Sequence, residues 1–327
     1  MNERIERRRF LALLPLLAAA AAAPRPARAA GYPERPLRVL VPFPPGSGTD
    51  DSARYVAQSL TAQTGQPVVV DNRPGASGII AAKAAAASPA DGYTLFITTN
   101  TTHAANASLF RTLPYDPVKD FAPVSLIARS GLVLVVPADS PVRTVADLSA
   151  LAKARAGKLT FASGSSSTRI AGELYKMMSG APAEHIPYKG VPQALTDLMG
   201  HQVDFMVSDI SPARPLIQGG KLRAVAVTTA RRHPLFPEVP TMAESGLPGY
   251  EMTAWVAAFF PAATPPALVA RMNALIRQAL AAPATIEHFG RTGGEAVPST
   301  PDELAAFVRS ETLKWARVIQ AAGIEPE

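Results

Sequence analysis

From Pro36 onward, short β-branched runs alternate with stretches in which apolar residues return every three or four positions. The runs 38–41, 67–70, 93–98, 132–136, 158–162, 202–207 and 222–228 predict strands. Between them, Ala53, Val56, Ala57 and Leu60, and again Ala171, Leu174, Tyr175 and Met178, fall on one face of a helix. Strand and helix in strict alternation imply an α/β fold, with mainly parallel sheets flanked by helices. The tail differs: Thr300, Pro301 and Glu303 form a capping box with proline at the first helical position. They launch a helix through Leu304, Val308, Trp315 and Ile319 to Gly323.

The first 29 residues follow another rule. Arg7-Arg8-Arg9 precedes an apolar run over 11–23, and small residues at Ala27 and Ala29 follow. This is the order of a twin-arginine signal peptide, 1–29, with cleavage expected before Ala30 and the periplasm as destination. The segment holds six arginines against two glutamates, hence four of the six net positive charges. The mature chain is close to neutral, which argues against a nucleic-acid or anionic-membrane partner. With no cysteine in the chain, disulfides, thiolate metal sites and a cysteine nucleophile are excluded. Its length suits two lobes. Proline-rich stretches at 113–123 and 234–248 bracket a central segment, so lobe 1 is expected over 30–126 plus 251–327 and lobe 2 over 127–250.

Reaction motifs are missing. There is no nucleophile elbow, zinc-protease helix or P-loop, and the five histidines stand at no ligand spacing. Gly46-Ser47-Gly48 lacks the third glycine of a dinucleotide fingerprint. No catalytic residue, metal or cofactor is expected.

Two loops share one design. In the first, strand 39–41 breaks on prolines at Phe43-Pro44-Pro45, turns through Gly46-Ser47-Gly48 and enters a helix at Thr49-Asp50. The second runs Ser163-Gly164-Ser165-Ser166-Ser167 into a helix carrying Arg169. Unpaired amides at a helix start hold anions, and an arginine offers a bidentate fork. The same residues also serve as ordinary turns and caps, Thr49 and Ser167 among them. Tyr188 and Lys189 follow another strand, as an aromatic wall and a point charge or as a packed ring and a solvated ammonium. Asp209 either meets an ammonium or hydroxyl of a ligand or caps the next helix. Thr99, Asn100 and His103 end a strand in polar side chains, for hydrogen bonding to a ligand or ordinary packing.

The order and spacing of these pieces resemble a known family. The matching segments include Arg38-Val39-Leu40-Val41-Pro42-Phe43, Gly46-Ser47-Gly48-Thr49-Asp50, Asp71-Asn72-Arg73-Pro74-Gly75-Ala76, Leu113-Pro114-Tyr115-Asp116-Pro117 and Pro187-Tyr188-Lys189-Gly190. Such a chain is similar to the Bug-type (TctC-like) periplasmic solute-binding receptors of tripartite tricarboxylate transporters. The resemblance implies a two-lobe type II periplasmic binding protein, a Venus flytrap without catalysis that closes on a small organic carboxylate. It also implies a carboxylate held by main-chain amides at 46–50 and 163–167, partly through waters, with Tyr188 and Asp209 near the ligand's variable end. Expected partners are the ligand, a di- or tricarboxylate or an aromatic acid, and the membrane permease subunits; a monomer is expected. Ser47 stands where glycine is common in the family and Arg169 where histidine is frequent, which points to an extra carboxylate contact. Two other functions stay open at this point: a ligand-sensing receptor of a two-component system and an exported hydrolase.

Overall fold

Strand β1 (Leu37–Val41) is buried at four of its five positions, because an unbroken apolar run suits a strand covered on both faces. In parallel with it lie β2 (Val68–Asn72) and β3 (Thr94–Thr99). Downstream come β4 (Phe121–Pro137), β5 (Thr160–Ser163), β6 (Glu184–Pro187), β7 (Phe205–Asp209), β8 (Leu222–Val227), β9 (Thr253–Pro261) and β10 (Gly294–Ala296). The helices are α1 (Gly48–Thr64), α2 (Ile79–Ala86), α3 (Asn106–Leu109), α4 (Val145–Ala154), α5 (Ser166–Ser179), α6 (Val191–Met199), α7 (Ile210–Gln218), α8 (Pro266–Ala281), α9 (Pro283–Thr292) and α10 (Pro301–Ala321). This computed structural model describes residues 31–326. The expected signal peptide lies outside the described residues.

One sheet of ten strands carries the fold, in the order β2-β1-β3-β9-β4-β7-β5-β6, with β8 and β10 also on β4. Parallel pairing, as expected from the alternation, holds at both ends: β1 with β2 and β3, β5 with β6 and β7. The middle departs from it, since β3–β9, β9–β4 and β4–β7 are all antiparallel. Two strands escaped the sequence reading and cause the difference. The front of β4 starts inside the proline-rich stretch taken for a seam, and the sheet tolerates Pro123 at a register shift between Pro123 and Ser125. Strand β9 (Thr-Ala-Trp-Val-Ala-Ala-Phe-Phe-Pro) is almost wholly buried between β3 and β4, so it shows no polar alternation to mark it.

Strand β4 belongs to both halves of the sheet. Phe121 to Gly131 pairs with β9, whereas Leu132 to Pro137 pairs with β7 and β8. The chain returns after β8, and the two passages are tied together. The Thr228 amide donates to Leu132 O (2.9 Å) and the Met252 amide to Thr228 O (2.9 Å); Thr228 Oγ1 accepts from the Leu132 amide (2.8 Å). At Gly131 an added Cβ would lie 2.5 Å from Thr229 Cγ2, so the passages touch where only glycine fits.

The tail behaves as its sequence predicts. Thr300 caps α10 in a capping box with Glu303, Pro301 sits in the first turn, and Leu304, Val308, Trp315 and Ile319 are buried.

Candidate functional site

The first loop is shaped by Asp50. After β1 and its prolines the chain reverses at Gly46 (φ 81°), and Ser47, not Thr49, caps α1, its Oγ accepting from the Asp50 amide. The Asp50 carboxylate accepts from the Gly46 amide (2.9 Å), Arg54 Nε (2.9 Å) and Asn72 Nδ2 (2.8 Å). It therefore holds the turn closed and does not face the cavity beside it. The Gly48 and Thr49 amides, in contrast, have no hydrogen-bond partner among the described residues, and both residues line that cavity. Free donors at the start of a 17-residue helix carry the partial positive charge that attracts an anion.

The second loop is organised by Thr168. Ser165, not Ser167, caps α5 in a capping box with it. Thr168 Oγ1 accepts from the amides of Gly164 (3.0 Å) and Ser165 (3.1 Å), and the Ser166 amide donates to Thr101 Oγ1 (3.3 Å). Three of the amides expected to cradle a carboxylate are thus already bonded inside the protein. Ser167 remains: its amide has no partner among the described residues, while its Oγ accepts from Asn100 Nδ2 (2.8 Å).

An inner cavity of about 50 Å3 lies between these two helix starts, room for a few water-sized groups. Ser47, Gly48, Thr49, Thr99 and Ser167 make its polar end. Val191, Ala254, Trp255, Val256 and Phe289 make an apolar end. Among the described residues its lining contains Asp51 and Asp209 but no lysine or arginine, so positive potential there comes from the helix termini. Asp209 stands at the cap position of α7 without making a side-chain capping bond, which sets aside the capping role for its carboxylate. The carboxylate lies beside Gly48, 4.0 Å from where a Cβ would stand. Burial pushes its pKa up to about 6.

Arg169, Tyr188 and Lys189 line a different, outer cavity of about 330 Å3, together with Ser163 and Ser166. Phe43, Gly164 and Ser165 belong to both cavities and form the wall they share. The wall cannot thicken, because a Cβ on Gly164 would lie 2.2 Å from the Val191 nitrogen. Tyr188 spends its hydroxyl on Asp197 Oδ2 (2.8 Å); burial first, then Asp197, raises its pKa to about 12.

Gly46, Asp50, Asn100 and His103 line neither cavity. Asn100 is a fully buried support, accepting from the Trp255 amide (3.4 Å) while it donates to Ser167. His103 belongs to the core: it stacks on Phe259 (3.9 Å between centroids) and meets Thr102 Oγ1 through Nδ1 (2.9 Å). Burial pushes its pKa down to about 3, so it stays neutral. The sequence reading missed Trp255, Phe289, Thr292 and Gly294, which reach the inner cavity from β9, α9 and β10. The only signal available was that the lobe containing the chain's end must face the same cleft. Among the described residues, no group of three or more His, Asp or Glu could hold a metal. No helix there is long and apolar enough to cross a membrane.

A binding cleft on a mixed α/β sheet, with two helix starts aimed at one cavity, defines a solute-binding receptor. Residues 52–324 match the tripartite tricarboxylate transporter family receptor (TctC), and the chain belongs to this family. BugT of Bordetella pertussis is 38% identical over 318 residues, covering 96% of this chain and 98% of BugT. Among solved structures, Rpa4515 of R. palustris with adipate superposes with a TM-score of 0.89 at 37% identity, covering 90% of this chain and all of that one. MatC from Rhodopseudomonas palustris with bound malate gives 0.83 at 32% identity, covering 88% of this chain and all of that one.

Proposed function

We propose that this protein is exported by residues 1–29, captures a small organic carboxylate in the periplasm and delivers it to the membrane subunits of a tripartite transporter, without catalysing a reaction. The observation that carries the reading is the set of unpartnered amides at Gly48, Thr49 and Ser167 around one cavity with no competing cation. Such donors cost no reorganisation when an anion arrives, and ordered waters can complete the shell for acids of different shape. The adipate and malate in the two related structures support the ligand class.

The lobes expected from the sequence are proposed here as the moving bodies. The change of strand partners at Gly131–Leu132 supports a division five residues beyond the expected boundary. A ligand that touches both helix starts favours the closed arrangement by its differential contacts.

Gly48→Pro tests the amide cradle. Position 48 is the first of the helix and Ser47 is extended (φ −74°, ψ 157°), a backbone that accepts a following proline. The substitution removes one N–H and little else. Calorimetry with adipate should show affinity lowered by roughly ten- to a hundredfold, since a hydrogen bond to a charged group contributes about 1.5–3 kcal/mol. Gly48→Ala keeps the donor and places its Cβ at an ordinary 3.8 Å from Asp209, so it should bind far better than the proline variant. Equal affinity in the native protein and the proline variant would remove the first loop from the site.

A further inference from the structure

The outer cavity differs in charge from the inner one. Among the described residues Arg169 and Lys189 line it and no Asp or Glu does. Its rim includes a run of backbone that no ligand-binding expectation covered. Ala76, Ser77 and Gly78 are consecutive residues with positive φ, at 45°, 50° and 81°. Successive left-handed residues turn neighbouring N–H groups to one side, forming a concave nest that suits an anion. Of these groups the Gly78 amide is used, donating to Gly75 O (3.0 Å). The Ala76 and Ser77 amides have no partner among the described residues.

This backbone is strained, since neither alanine nor serine favours such angles. It is held from behind. Asn106 Nδ2 donates to Ser77 O (2.9 Å), and Gly78 packs so closely that a Cβ would lie 2.7 Å from Thr102 Cγ2. Ser163 and Ser166 add hydroxyls on the facing wall.

Resting on the carboxylate reading above, we infer that the outer cavity is a second anion site, which takes the distal carboxylate of a dicarboxylate. The nest at Ala76–Ser77 supplies amide donors, and Arg169 and Lys189 supply charge. The proximal carboxylate occupies the inner cavity, and the ligand's chain passes the shared wall at Gly164. The division of labour follows from the linings. The inner cavity, with two acids and no cation, suits one carboxylate, and the outer one offers the charge that a second requires.

The test compares two acids of equal chain length, hexanoate and adipate, by calorimetry on the purified protein. The native protein should bind adipate at least about tenfold more tightly than hexanoate, as one added charge-assisted contact implies. Lys189→Gln, an exposed position, and Ala76→Pro, which removes one nest amide, should each lower the adipate-to-hexanoate affinity ratio at least about fivefold. Ala76→Gly, which tolerates the angle and keeps the amide, should preserve the ratio. A native ratio near one, or a ratio unmoved in Lys189→Gln, overturns the second site and leaves the inner carboxylate site standing. Failure of both acids to bind overturns the carboxylate reading and this inference with it.

Discussion

Asn100 Nδ2 donates to Ser167 Oγ at 2.8 Å, a bond that joins the end of β3 to the first turn of α5 between two fully or nearly buried residues. The same amide side chain accepts from the backbone of Trp255 in the cavity wall. One residue thus sets the spacing between the floor of the inner cavity and the helix start carrying a free donor.

Asn100→Ala should therefore weaken carboxylate binding more than it weakens the fold. Leaving the Ser167 hydroxyl and the Trp255 amide unpaired costs about 1–3 kcal/mol. Much of that falls on the arrangement that brings the two loops together. The expected result is adipate affinity lowered by about fivefold or more, with the melting temperature down by only a few degrees. A large drop in melting temperature with unchanged affinity would assign Asn100 to the core alone.

The Asp209 carboxyl should make both binding and stability depend on pH. Its pKa is about 6 in the folded protein against an ordinary 3.8, so between these values the folded state holds more protons than the unfolded one. Stability from this group consequently rises as pH falls through that window, and the ionised carboxylate is a cost above it. Asp209→Asn should be more stable than the native protein at pH 7, by about 1–2 kcal/mol once partial solvent access is allowed for. The advantage should vanish near pH 4. Binding of a monoacid should strengthen from pH 7 to pH 5 in the native protein, because the charge beside Gly48 is neutralised. In the variant that trend should be absent, and calorimetry at the two pH values decides.

At Gly190 an added Cβ would lie 2.3 Å from Pro44 Cγ, so Gly190→Ala should push the first loop away from the second half of the sheet. The proline ring cannot yield as a flexible side chain does. Affinity for adipate should fall at least about tenfold, equivalent to about 1.4 kcal/mol. Far-ultraviolet circular dichroism should remain unchanged. Native affinity in this variant would mean that the loops need not meet across the cleft.

The two tryptophans of the chain share one acceptor. Glu311 Oε2 accepts from Trp255 Nε1 and from Trp315 Nε1, both at 3.0 Å, on a residue only 8% exposed. Glu311→Ala leaves two buried indole donors unpaired and should destabilise the protein by about 2–4 kcal/mol. Chemical denaturation followed by tryptophan fluorescence measures it directly, since no other residue supplies that signal.

Local chemistry explains how much could be read before the structure. Capping residues and apolar periodicity placed α1, α5 and α10 because those signals act within a few positions of one another. The antiparallel centre was hidden, since β9 has no polar face and Pro123 enters β4 where an edge or a seam would be the usual reading. Site residues divide in the same way. Ser47, Gly48 and Thr49 were legible as a helix start beside a turn. Nothing local distinguishes an acid that braces a loop, as Asp50 does, from one that faces a cavity, as Asp209 does. His103 looked available because its sequence neighbours are polar, whereas Phe121 and Phe259, which enclose it, come from distant strands.

The two laced passages at Gly131–Leu132 and Thr228–Met252 act as a fulcrum. Strands bonded side by side resist sliding but yield to twist, so one half can turn against the other only by winding this seam like a torsion spring. The arc of that turn is metered by main-chain geometry rather than by loop length. A side chain forced in at position 131 would preload the spring and shift its resting angle, altering ligand capture without touching either cavity.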